Sequence, residues 1–484
     1  MAPPLPTITK KEVQEHNSAE KGMWVMWKDG VYDVTQFAPN HPGGADRLKS
    51  GAGRHIEPFW RMYPQHDKPD VHEKLETLRI GNLPAEDVYK RKGKEEKDPY
   101  ADQPNRDEKM IPNSVKPYCA EIVQNLLTET FLTPNEYHYV RNHHPVPKLN
   151  PATYKIDVKV EGKTGGLQLS LTDLKSKYPA KEVTSTLQCA GNRRIHYNYI
   201  RMTSFAQYDV AALSTAKWTG ASLREILLEA GVPQDYMNSD LKHIIFEAYD
   251  VLPEKEQHFK VSVPIEKAMD VNGDCILAYL MNGTDLPPDH GYPVRVLVPS
   301  YVGFRNPKWL KSIFASKEEV PAPEAPWQHM FYKVSPPRPD LPDFDFTKIP
   351  QVYTWPVNSI ICNPMPGCEV PEGTTEMKLK GVAVATRGLG IQRVDVTANN
   401  GKLWYQAELE TCGQPMGRQW AWTQWNITVP VPEALKAGDT FEIRCKAVDS
   451  SYNSQPSDIT EIWNLRGCYN NVQHRLKVKV AAAN

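Results

Sequence analysis

Apolar and polar positions along the chain divide it into stretches of different periodicity. Residues 5–84 mix short helical patterns with two strand-like runs, 23–27 and 31–34, and end at Gly81-Asn82-Leu83-Pro84. From 85 to 110 charge is dense and no period could bury a face, so a flexible charged linker is expected there. Residues 111–345 alternate strand candidates (156–160, 243–246 and 294–298) with a helical run at 223–230 closed by Gly231, the pattern of an α+β domain. Beyond a proline-rich stretch, runs at 377–384, 392–398, 403–409, 425–429, 441–447 and 472–480 with turn residues between them predict an immunoglobulin-like β-sandwich over 346–484.

Composition supports several domains and excludes some functions. At 484 residues the chain is too long for one ordinary core. Lys and Arg number 57 against 58 Asp and Glu, so the charge balance gives no sign of a nucleic-acid or membrane partner, although arginines could still converge on a small anion. No stretch approaches the roughly 18 consecutive apolar residues of a membrane span, and mean hydropathy is −0.55. The opening residues have neither an apolar signal core nor an Arg-rich amphipathic leader. Eight scattered cysteines without a C-x-x-C pair fit neither a zinc ribbon nor a disulfide scaffold, and the sequons at Asn282 and Asn426 read as accidental. The 42 prolines concentrate in connections.

Two motifs carry chemistry. In the first, His41-Pro42-Gly43-Gly44 is followed by His66 after Trp60 and Tyr63. A haem that only moves electrons needs both axial positions filled, and two imidazoles from separate short segments do this. Glycines beside the first histidine let backbone approach a porphyrin. Residues 5–84 resemble cytochrome b5, which makes His41 and His66 the expected iron ligands; His55 and His72 fall outside the motif and read as surface or supporting histidines.

The second motif is Thr186-Leu187-Gln188-Cys189-Ala190-Gly191-Asn192-Arg193-Arg194. A thiolate suits a soft metal site, and arginines just beyond it offer bidentate donors to an oxyanion. By residue type alone, an isolated cysteine is as well read as buried and inert. The string is similar to that of the eukaryotic sulfite oxidase and nitrate reductase family. So are Arg141-Asn142-His143, Ser214-Thr215-Ala216-Lys217-Trp218, Asp289-His290-Gly291-Tyr292-Pro293-Val294-Arg295 and Lys308-Trp309-Leu310, which together cover nearly the whole chain.

The resemblance implies that Cys189 ligates molybdenum beside a single molybdopterin. The cofactor would be held by Tyr139, Val140, Arg141, Asn142 and His143, with Asp250, His290, Arg295, Asn306, Pro307 and Lys308. His143-His144 reads as one pterin contact beside an exposed histidine. Arg141, Arg194, Tyr332 and Arg466 would form the substrate pocket, as in animal-type sulfite oxidases carrying an N-terminal haem domain. Nitrate reductases of this family typically carry methionine where Arg466 stands, lack the tyrosine, and place haem after molybdenum. A dianion such as sulfite also gains more than nitrate from an added guanidinium. Tyr208, where a pocket tryptophan is usual, is a departure that bears on substrate affinity. The resemblance further implies oxidation of sulfite to sulfate, electron transfer through haem b to cytochrome c, a homodimer paired through the C-terminal domain, and residence in the mitochondrial intermembrane space. A nitrate reductase-like molybdenum enzyme on the same scaffold is the alternative.

Overall fold

The computed structural model describes residues 5–41, 48–49, 51–57, 60, 66, 69–89, 98–203, 205–253, 256–338 and 345–483. Pro42, Gly43 and Gly44 lie outside the described residues, as do 90–97 of the charged segment. In the N-terminal region the strands Asn17–Ser18, Gly22–Trp27, Gly30–Asp33 and Arg79–Asn82 pair antiparallel in that order. Strand alternation sorts the apolar side chains. Met23, Val25 and Trp27 join Tyr32, Val34, Ile56 and Leu75 in one cluster, while Met26 and Val31 join Val13 and Leu83 in another. Val13 is delivered by the helix Lys10–Glu15, started by a reciprocal Thr9–Glu12 cap.

The central region is built on two five-stranded sheets. One runs Lys181–Gln188, Leu213–Ser222, Ile276–Met281, Thr284–Asp285, with Arg295–Leu297 also paired to Ile276–Met281. The other runs Gln257–Pro264, His243–Leu252, Leu310–Ser316, Lys155–Val160, Leu167–Ser170. Lys155–Val160 alternates strictly, with Ile156, Val158 and Val160 buried. The helix Leu223–Glu229 starts at the Ser222 cap, and Gly231 at φ 100° follows its end, as the expected run 223–230 implied. Residues 98–109 of the charged segment lie on this region: Arg106 bridges Asp289 through Nε and Nη2 at 2.9 and 3.0 Å, its guanidinium 3.9 Å from the Tyr118 ring. Charge that suggested a solvated linker is partly spent on docking.

C-terminal strands form a sandwich. One sheet is Asn358–Asn363, Glu376–Val384, Thr423–Pro430, Glu408–Glu410; the other is Glu369–Pro371, His474–Ala481, Thr440–Asp449, Ile391–Thr397, Tyr405–Gln406. Residues 403–409, read as one strand, are therefore two short strands in opposite sheets, joined at buried Ala407, whose N–H bonds the Val394 carbonyl at 2.9 Å. The chain crosses between sheets there, which a run of apolar residues cannot reveal. The sandwich is also fused to the central region. Ile360, Val382, Trp422 and Cys468 belong to the same core cluster as Leu213 and Val298, and Trp422 donates its indole N–H to the Phe131 carbonyl at 3.0 Å. No helix among the described residues is long and apolar enough to cross a membrane.

Candidate active site: a thiol-floored cleft and a histidine pair

Cys189 sits just past the end of Lys181–Gln188, where its backbone N–H bonds the Ala212 carbonyl at 2.9 Å and the Gly191 N–H reaches its sulfur at 3.4 Å. Burial pushes the thiol pKa up, while Arg194, Arg141 and the Gly191 amide pull it back. Around it closes a cleft lined by Tyr139, Arg141 and His143 from one segment and by His290 and Arg295 from a second. Asn306, Pro307, Lys308, Asp250 and Tyr332 also line it. Tyr332 is buried and stacks on Phe304 with ring centroids 3.6 Å apart, and its hydroxyl lies 2.8 Å from His143 Nε2. Burial raises the Tyr332 phenol and, aided by Arg141, holds the His143 imidazole well below its ordinary range, so both groups are neutral and either can donate across this contact.

Several expected residues act from behind the lining. The Asn142 side chain donates to Asp289 at 2.8 Å and accepts from Lys308 Nζ, which also bonds the Asp289 carbonyl at 2.8 Å. Val140 contributes its carbonyl, which takes the Tyr208 hydroxyl at 2.7 Å; Tyr208 is fully buried and packs with Cys189 rather than lining the cleft. The Asn306 side chain is spent on its own loop, accepting from Val298 N–H at 2.6 Å and donating to the Tyr301 and Val302 carbonyls. Arg194 lies against Gly191, where an added Cβ would meet its guanidinium, and Arg466 reaches the same region with its guanidinium 5.2 Å from the Phe331 ring. Neighbouring Arg193, at φ 62°, turns away and bonds Asn358 and the Val472 carbonyl in the sandwich. His144, expected at the surface, is instead 2% exposed and paired with Asp250 at 3.0 Å, because the strand His243–Leu252 passes over it.

Sequence reasoning missed His138, which is buried against His290 with ring centroids 4.8 Å apart and lines the cleft. Its Nδ1 lies 3.2 Å from the Tyr139 carbonyl, leaving buried Nε2 without a hydrogen-bond partner. The buried Nε of Arg295 is likewise unpartnered. The aromatic and histidine residues crowded into Tyr137–His144 were the available signal. A soft sulfur ligand at the floor, cations beyond it and orphaned polar atoms in the walls fit a metal carried on a phosphate-bearing organic group. In the N-terminal region the His41 and His66 rings face each other with centroids 6.1 Å apart and planes 29° apart. That spacing admits a metal ion bound by each imidazole at about 2 Å. Burial and the neighbouring His41 bring His66 down to about 4, keeping its lone pair free of a proton.

Residues 143–324 match the oxidoreductase molybdopterin binding domain family, 350–481 the Mo-co oxidoreductase dimerisation domain, and 9–84 the cytochrome b5-like heme/steroid binding domain. Sulfite oxidase of Gallus gallus is 42% identical over 475 residues, spanning 98% of this chain and 100% of that protein. The chain belongs to the sulfite oxidase family. A mitochondrial sulfite oxidase of Drosophila melanogaster is also 42% identical, over 98% of this chain and 81% of its own length. The solved sulfane dehydrogenase SoxCD of Paracoccus pantotrophus shares the fold, with TM-score 0.61 and 24% identity over 75% of this chain and 84% of that one. Membership of the sulfite oxidase family brings two cofactors, molybdopterin to the domain matched over 143–324 and haem to the cytochrome b5-like domain matched over 9–84.

Proposed function

We propose that the chain oxidises sulfite to sulfate at a molybdenum–molybdopterin centre ligated by Cys189, and passes the electrons through haem b, held by His41 and His66, to cytochrome c. The observation that carries this reading is the convergence of Arg141, Arg194 and Tyr332 about the Cys189 thiol, with neither of these arginines paired to a carboxylate among the described residues. When bound, the cofactor supplies the two-electron redox chemistry. The protein's part is to neutralise and orient a dianion: Arg141 and Arg194, with Arg466 from the sandwich, stabilise charge from fixed positions, and Tyr332 donates its hydroxyl with His143 behind it. His143, His290, Arg295 and Lys308 suit the pterin and its phosphate.

The domain matches and the family support a homodimer through 350–481, a tether within 85–110 between the redox domains, and work in the mitochondrial intermembrane space. The three arginines favour sulfite over monoanionic nitrate. Purified protein containing one molybdenum, one pterin and one haem per chain is expected to reduce cytochrome c when given sulfite, and to scatter light as a particle of two chains. Nitrate turnover with a reduced dye, without sulfite turnover, would replace this reading by the nitrate reductase-like one.

A further inference from the structure

Buried guanidinium groups usually meet carboxylates, which fix them but cancel their charge. Arg141 and Arg194, the two arginines that bear on the Cys189 thiol, meet thiols and carbonyls instead. Arg141 Nη1 donates to Cys119 Sγ at 3.5 Å and to the Asn142 carbonyl. Arg194 donates to the Gly467 carbonyl at 3.1 Å and to the Ala206 carbonyl at 2.8 Å, which sets it beside the Cys468 thiol. Both thiols are 1% exposed, and each directs its own hydrogen to a backbone carbonyl, Cys119 to Asn142 at 3.5 Å and Cys468 to Arg466 at 3.8 Å. The two thiols come from separate parts of the chain: Cys119 lies in Tyr118–Ile122, which pairs with Val140–Arg141, whereas Cys468 comes from the loop before His474–Ala481.

We propose that Cys119 and Cys468 are positioning residues for the substrate anion, Cys119 holding Arg141 by its sulfur and Cys468 lying beside Arg194, each giving its proton to a carbonyl, so that geometry is fixed and positive charge is left whole. A sulfur is a weak acceptor, and the carbonyls beside it supply most of the bond strength. What the thiol contributes is an acceptor that fits a tight space, removes no charge and leaves the outer guanidinium face to the anion. A carboxylate at either position would form the pair that the substrate should form. This inference rests on the proposed anion chemistry at Cys189, and it makes the affinity for a dianion, rather than the rate of electron transfer, the property the thiols set.

The test measures sulfate binding by calorimetry and sulfite turnover on the same fully loaded preparations. Cys119→Ala and Cys468→Ala are expected to weaken sulfate binding and raise the sulfite KM by about five-fold, with kcat, molybdenum content and haem absorbance unchanged. Cys119→Ser, which keeps a small neutral hydrogen-bonding group, restores most of the affinity. Cys119→Asp weakens sulfate binding by about a hundred-fold; should that variant fail to fold, the Ala and Ser pair still decides. Wild-type affinity and KM in both Ala variants would overturn the proposal, as would kcat falling in step with lost molybdenum, which would make the thiols supports of the cofactor. A wild-type protein that binds sulfate but does not turn over sulfite would sink the functional reading instead, and the sulfate series would still judge the thiols.

Discussion

The haem pair and the thiol-floored cleft solve different problems with different amounts of protein. His41 and His66 sit among aromatic rings: the Trp60 ring lies 4.7 Å from His66, and Phe37 meets His41 edge-on at 5.9 Å. In the cleft the polar groups are fixed by directed bonds from distant segments. Arg295 donates to the His290 and Asn306 carbonyls at 3.1 Å each, and Lys308 reaches Asp289 and Asn142. A site that relays electrons needs two ligands at one spacing, and a small unit suffices. A site that must recognise an anion needs charges at fixed angles, so much of the chain is recruited to hold them.

The sharpest way to break this contrast is Cys189→Ser, which replaces a soft ligand by a poor one. Sulfite oxidation is expected to vanish while haem absorbance and folding survive; near-normal turnover would show that the thiol is not the metal's ligand. Next in size, His41→Ala or His66→Ala should abolish cytochrome c reduction and leave sulfite-dependent reduction of a dye that meets the cleft directly. Parallel loss of both activities in a folded, molybdenum-loaded variant would mean that the two sites are not separable.

The smallest effect concerns Lys308, whose burial brings it down to about 7 from the ordinary 10.5. Between those values the unfolded chain binds the extra proton, so the stability of cofactor-free protein rises with pH across that window. The melting temperature relative to Lys308→Met should therefore climb by a few degrees from pH 7 to 10. Loaded protein, with a phosphate facing the lysine, should lose this climb. A flat difference in the cofactor-free pair would show that burial does not govern the lysine.

What was legible in the sequence was chemistry confined to short strings. The Cys189 segment and the pair His41 and His66 stood out because ligand chemistry depends on residue type and local spacing. Adjacent Arg193 and Arg194 mark the limit: Arg193, at φ 62°, finds Asn358 and Val472 far along the chain, while Arg194 bonds Ala206 and Gly467. His144 looked exposed since its partner Asp250 is 106 residues away. Asn306 lines the cleft as expected, but that its side chain is also engaged within its own loop is not visible in a local string. The strand split around Ala407 was hidden for the same reason, since only the opposing sheets decide which face a residue meets.

The loop carrying Arg466 and Cys468 belongs to the sandwich, yet it ends at the Arg194 side of the cleft. The domain matched as one for dimerisation is thus also a co-author of the substrate site. Descendants of this fold could not trade that domain as an interchangeable part without retuning the anion pocket. Conversely, a change in substrate preference could arise from drift in a region whose apparent duty is assembly. Grafting the central region alone onto another scaffold would carry over Cys189 but leave one wall of the pocket behind.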